Sequence, residues 1–262
     1  MPDALESLLK TWRSLDLNKS PYILPDDEKA LKDSKTPISS IGDFADWHSD
    51  RDFGQRLPHE LQAGLLPVPF VGDLRQARVF LLTLNPGFEP LDLYGEDTNG
   101  DFKKDLVNNL TQSGLDSEYP FLTLNPKYSW HGGYKYWSKR LSDLIAFFQT
   151  ERKCSFRQSL AFIAQNVAVL EAAPYHSTSF DVSKKVISQL QSSKAIYTFV
   201  KEELVPQALE GKILLIVLRA NWFWELNAST NLIIYEQSEA RGSSLSLNSR
   251  GGKAIQSFLN KK

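Results

Sequence analysis

Residues 79–90 read VFLLTLNPGFEP. From Val79 to Leu84 every residue is apolar or β-branched, the pattern of a strand covered on both faces. Asn85 then meets Pro86, which fixes φ, and Gly87, which frees it. This ending reads as a plain turn or as a catalytic loop at the carboxyl end of a sheet strand. Three more short apolar runs match the first: VAVLEAA at 167–173, ILLIVL at 213–218 and NLIIYE at 231–236. Helical spacing lies between them, over 134–150, 155–165 and 194–209, with Pro206 near the end of the last. Residues 251–260 can form a short closing helix. Strands alternating with helices predict an α/β fold: three layers, α/β/α, around a central, mainly parallel four-stranded sheet. Ligands in such sheets bind beyond the carboxyl ends of the strands. Those ends carry Asn85–Gly87, Glu171–His176, Arg219–Trp224 and the loop from Gln237 to Gly252, which are expected to converge on one rim.

Upstream, residues 4–15 (ALESLLKTWRSL) space Leu5, Leu8, Leu9, Trp12 and Leu15 as one face of a helix. Residues 16–42 are polar and read as an extended connection, and 43–77 as an irregular, aromatic- and proline-rich wrap. The expected division is an N-terminal helical and irregular extension over 1–60 and an α/β domain over 61–262. The 262 residues suffice for a sizeable core, and 42% apolar with 23% charged composition is that of a globular chain. With a net charge of −1, a nucleic acid has to be gripped by a local basic patch. The single cysteine, Cys154, excludes an internal disulfide framework or a cysteine-ligated cluster and fits a reducing cytoplasm. No N-terminal run resembles a signal peptide, and no segment is long enough to span a membrane. G-x-S-x-G, Rossmann and P-loop fingerprints are missing, so no nucleotide cofactor is expected.

Leu84-Asn85-Pro86-Gly87 directly after the first core strand resembles the first motif of the uracil-DNA glycosylase superfamily. It is most similar to the mismatch-specific uracil/thymine-DNA glycosylase branch, which carries Asn-Pro-Gly there. Residues 240–246, ARGSSLS, are similar to the superfamily's second motif, a His-or-Asn, Pro, Ser, X, Leu, Ser loop after the final strand. The resemblance covers about residues 65–262. It implies a monofunctional glycosylase acting on DNA as a monomer, without metal or other cofactor, with water as the nucleophile. The target base must leave the stack to be reached.

On this resemblance Asn85 positions the attacking water, an acceptor through its amide oxygen but a poor general base. Pro86 fixes the backbone. Gly87 stands where uracil-strict members carry a tyrosine, which leaves room for C5-substituted pyrimidines. Phe88 is a stacking face for the flipped base. Glu171 matches a position where the superfamily commonly has asparagine. A carboxylate suits cytosine N4–H better than uracil O4, and Glu171 is alternatively the general base for the water. His176 assists the leaving base or touches a phosphate, and Trp222, with Phe223 and Trp224, walls the pocket. In the second motif, Arg241 replaces the family's histidine or asparagine and stabilises charge on the leaving pyrimidine. Ser243, Ser244 and Ser246 bond phosphates, and Leu245 fills the gap left by the flipped base. Arg241, Arg250 and Lys253, facing only Glu239, form the local basic patch. His131-Gly132-Gly133-Tyr134 opens a helix whose N-terminus suits a phosphate.

Every one of these residues also has a structural reading: a turn for NPGF with Phe88 in the core, a Glu171–Arg219 ion pair, a plain surface loop at 240–246. The substrate the residues point to is a modified, cytosine-type pyrimidine with a bulky C5 group, the kind of base found in phage DNA, and the setting is antiviral defence by a cytoplasmic enzyme. The alternatives are a uracil/thymine mismatch-repair glycosylase, a non-catalytic module of the same fold that binds modified DNA, and an unrelated α/β hydrolase.

Overall fold

The computed structural model describes residues 3–50, 53 and 59–261. It is mixed α/β, with about half of the chain helical. Two short strands, β1 (Ile38–Ser39) and β2 (Leu61–Gln62), pair in parallel as a small sheet. A mixed five-stranded sheet contains β3 (Phe70–Val71), β4 (Val79–Thr83), β5 (Val167–Glu171), β6 (Leu214–Val217) and β7 (Leu232–Ile234). Their order is β3-β5-β4-β6-β7. β6 runs parallel to both neighbours, with Val79 opposite Leu214 and Leu215 opposite Leu232. Every residue of β4, β5 and β6 is buried, so these strands read as continuous apolar runs and not as alternating ones.

The four expected strands are present, and the sheet has a fifth. β3 is two residues long and follows the prolines of LPVPFV, too short to show a period of two. The polar stretch 16–42 is not simply extended: it holds β1 and a helix, Pro25–Asp33, that starts on proline with Asp26, Asp27 and Glu28 in its first turn. Its buried residues are Asp27 and Leu31, and an aspartate facing inward hides the periodicity. Helices Pro90–Thr98 and Gly100–Thr111 escape the sequence reading for the same reason, since Asp92, Glu96 and Asn109 are among their buried residues. The span 134–150 is two helices, Gly132–Arg140 and Ser142–Glu151, broken at Leu141 without a glycine or proline to mark it. Over 194–209 the chain widens to a π turn at Val200–Leu204 just before Pro206. Proline has no N–H for the ladder and crowds the preceding turn.

The chain divides into two compact units, each assembled from three segments. The first comprises Met1–Phe70, Leu84–Ser113 and Glu171–Phe199. Here the helix Ala4–Arg13, capped by Asp3, buries Leu5, Leu8, Leu9 and Trp12 and packs on helices Gln191–Phe199 and Gly100–Thr111. Each such side chain contributes about 1.5–3 kcal/mol by leaving water. The second unit comprises Val71–Thr83, Gly114–Leu170 and Val200–Lys262. It holds most of the five-stranded sheet, the packed pair Ser142–Glu151 and Phe156–Asn166, and the closing helix Arg250–Asn260 against β6. Thus most of the N-terminal 60 residues share a unit with the segments that follow β4 and β5.

Candidate active site

β4 ends at Thr83, and residues 84–89 form an open loop before the helix Pro90–Thr98. Asn85 is half-buried in this loop. Its amide nitrogen donates to the Pro86 carbonyl at 2.7 Å, to the Ser177 hydroxyl at 3.1 Å and to the Tyr175 carbonyl at 3.4 Å. Carbonyl oxygens only accept, so this set fixes which end of the amide is nitrogen. Oδ1 is thereby turned away from these partners and has no hydrogen bond among the described residues. The Ser177 N–H returns a bond to the Pro86 carbonyl. The asparagine is therefore a fixed carbonyl-type acceptor, stitched to the loop that follows β5.

Gly87 is exposed, and a Cβ built on it meets nothing within 4 Å among the described residues. Its φ is not in the left-handed region, so the backbone does not demand glycine. The missing side chain leaves open space beside Asn85. Phe88 is half-buried and meets Trp47 edge-on, with ring centroids 6.3 Å apart. Trp47 in turn stacks on Phe44, whose edge contact is Tyr94. Phe88 thus joins an aromatic cluster on the surface of the first unit and is not a core residue.

His176 is placed otherwise than expected. Both ring nitrogens face backbone carbonyls, Nδ1 that of Gly87 at 2.7 Å and Nε2 that of Leu66 at 3.1 Å, and the ring is buried. Its polar atoms thus face two loops, at the Gly87 and the Leu66 carbonyls. The Leu66 N–H donates to both carboxylate oxygens of Glu96, at 3.2 and 3.1 Å. Burial pushes the Glu96 carboxyl up to about 8, against the pull of that N–H and of Lys103. One residue earlier, the Tyr175 hydroxyl donates to Asp27 at 2.7 Å and accepts from Leu24 N–H at 3.3 Å. Asp27 also accepts from Ser192 N–H. Burial raises the Asp27 carboxyl above its ordinary value despite these bonds, and it raises the Tyr175 phenol further above its own. The N-terminal segment therefore grips the residue that flanks the His176 clamp. Glu171, the last residue of β5, is buried, and its N–H donates to the Pro69 carbonyl.

Sequence reasoning missed Ser177, Tyr175, Asp27 and Glu96. Ser177 and Tyr175 sit next to His176 and could have been weighed with it. Asp27 and Glu96 are ordinary acidic residues of polar stretches, and nothing in the sequence marks them as buried.

The second unit carries the other candidates. The expected loop at 240–246 begins as a helix, Gln237–Gly242, ending at Ser243 in the left-handed region. Leu245 is only 1% exposed and packs against the backbone at Gly251, so the expected wedge is a core residue. Ser243 is also buried: its hydroxyl donates to the Ala240 carbonyl and accepts from Arg219 Nε at 3.1 Å. Ser244 is exposed and bonds Ser246, which is half-buried. Arg250 is committed to Glu239, donating Nε at 2.8 Å, which lowers the Glu239 carboxyl and raises the guanidinium. Of the expected basic patch, Arg241 and Lys253 remain exposed, without ion pairs among the described residues. Trp222 is half-buried in the one-turn helix Asn221–Trp224, edge-on to Phe223, whereas Trp224 is fully buried and donates to the Thr83 carbonyl. His131 uses Nδ1 to accept from Gly133 N–H at 3.0 Å, so the helix N-terminus expected for a phosphate is capped by the histidine itself.

Among the described residues no group of three or more histidine, cysteine or acidic side chains could hold a metal ion, and no helix is long and apolar enough to cross a membrane. Comparison of the chain with protein-family models, with curated proteins and with solved structures returns no match.

Proposed function

We propose that the protein is a monofunctional DNA glycosylase that removes a modified pyrimidine by attack of water on the sugar. The observation that carries this reading is Asn85, whose amide nitrogen is tied down by three acceptors while Oδ1 has no hydrogen bond among the described residues. Such an oxygen holds and orients a water without needing to titrate, and positioning of this kind supplies much of the barrier reduction in a displacement step. Water adds to the anomeric carbon, the N-glycosidic bond breaks, and the departing base keeps the electron pair and ends with the proton that the water gives up. The open space at Gly87 admits a group on C5 of the base. Glu171, at the end of β5, accepts from a cytosine-type N4–H or takes the proton of the water. The three-layer α/β/α arrangement of the uracil-DNA glycosylase superfamily belongs to the same proposal.

A second reading, a module of that fold that binds modified DNA without cutting it, is favoured by the burial of Leu245 and Ser243, which are spent on the fold. The test is to incubate the pure protein with genomic DNAs that differ only in pyrimidine modification and to count alkali-labile abasic sites. The glycosylase reading expects sites in at least one modified DNA and fewer in Glu171→Gln. Binding to modified DNA without any abasic sites supports the second reading instead.

A further inference from the structure

We infer that the surface of the helix Gly132–Arg140, with the turn before it, is a binding face for single-stranded DNA. The inference rests on the proposed action on DNA for its choice of partner, but on different residues. From Tyr119 to Ser142 the chain carries Lys127, Lys135, Lys139 and Arg140 and no carboxylate, in a protein of net charge −1. Aromatic residues alternate with them: Trp130 and Tyr134 are partly exposed and Tyr136 is exposed, whereas Tyr128 and Trp137 are buried and support the surface from beneath. This is the basic-and-aromatic mixture that holds single strands: cations track the phosphates, and rings stack the bases without reading sequence.

The placement of the side chains fits. Lys135 and Lys139 are exposed, one helical turn apart on the same side, and make no ion pair among the described residues. Tyr136 lies between them in sequence and is 44% exposed. The Arg140 guanidinium sits 4.3 Å from the centre of its ring, which stiffens the ring as a stacking surface. Arg140 itself is not free for phosphate. It donates to the Gly242 carbonyl at 2.6 Å and to that of Ser243, which ties the helix to the residues just after exposed Arg241. Lys135, Lys139, Tyr136 and Arg241 are thus the contact groups, and Arg140 is their brace. The nearest carboxylate in sequence, Asp143, accepts from Leu247 N–H. A single strand is the better partner than a duplex, because exposed ring faces need unstacked bases and Leu245 is buried where a duplex reader would use a wedge.

The experiment is fluorescence anisotropy with a labelled 20-nucleotide mixed-sequence single strand, titrated at several salt concentrations. Lys135→Ala/Lys139→Ala changes only exposed side chains and should bind more weakly, with the slope of log affinity against log salt reduced by about 1.4. Tyr136→Phe should bind as wild type, whereas Tyr136→Ala should lose roughly five-fold or more in affinity at an unchanged slope. An unchanged slope in the double variant, tighter binding of the matching duplex, or binding of phosphatidylserine vesicles but not of the oligonucleotide overturns the inference. Wild-type protein that binds the strand through Lys135 and Lys139 yet never forms abasic sites ends the glycosylase reading and leaves this surface standing.

Discussion

Replacing Glu96 with glutamine should stabilise the protein at alkaline pH and make its stability less dependent on pH. The carboxyl is buried, with its ordinary value of 4.5 pushed up to about 8. In the folded chain it keeps its proton up to about pH 8, whereas in the unfolded chain it loses it near 4.5. Between those values the folded state binds more protons, so this group's contribution to stability falls as pH rises and then levels off. A shift of that size corresponds to about 5 kcal/mol as an upper bound. Glutamine keeps an oxygen for the Leu66 N–H but brings an NH2 that has to be satisfied, at a cost of about 1–3 kcal/mol. The net gain at pH 8.5 is therefore at most about 2–4 kcal/mol, turning into a net loss at pH 4.5. The assay is urea unfolding at half-unit pH steps from 4.5 to 9, comparing midpoints and slopes. A difference between the two proteins that stays constant across this range would falsify the assignment of a protonated, buried Glu96. The result matters for the site, because Glu96 holds the N–H of Leu66, the residue whose carbonyl faces His176.

Gly87→Tyr should leave the unfolding midpoint within about 0.5 kcal/mol of wild type, since the position is open and does not require glycine, while abolishing excision of any C5-substituted base; calorimetry and the abasic-site assay together check this. Leu245→Ala should cost about 2–5 kcal/mol of stability as a cavity in a packed core, and its losses on paired and single-stranded DNA should be equal. Tyr175→Phe strips Asp27 of a hydrogen bond and should destabilise by about 1–3 kcal/mol, a loss that shrinks as Asp27 is protonated at low pH.

The strands were legible because burial on both faces leaves an unbroken apolar run, and the four runs at 79–84, 167–173, 213–218 and 231–236 each hold a strand. The helix Ala4–Arg13 was legible from its apolar face. What stayed hidden has one physical character: polar groups turned inward. Asp27, Asp92, Glu96 and Asn109 look solvent-facing in sequence, so their helices were read as loops or passed over. The candidate site was legible in part. Asn85 and Gly87 stand out because their chemistry is local, a strand end followed by Pro and an open glycine. The occupation of His176 by two carbonyls comes from chain segments far apart in sequence, and no local pattern encodes it. Leu245 illustrates the opposite error, in which a motif position suggested exposure and burial beside Gly251 decided otherwise. The basic and aromatic run at 127–140 was visible in the sequence but was read only for its helix and for a phosphate at that helix's N-terminus.

In the proposed reaction the Asn85 Oδ1, which has no hydrogen bond among the described residues, positions the attacking water. Single-turnover excision by Asn85→Ala, measured at saturating DNA carrying a base that the wild type removes, tests it most directly. The rate should fall by on the order of 10²-fold or more with DNA affinity unchanged, because one preorganised polar contact is lost while phosphate contacts persist. An Asn85→Ala protein that excises the base at the wild-type rate contradicts it.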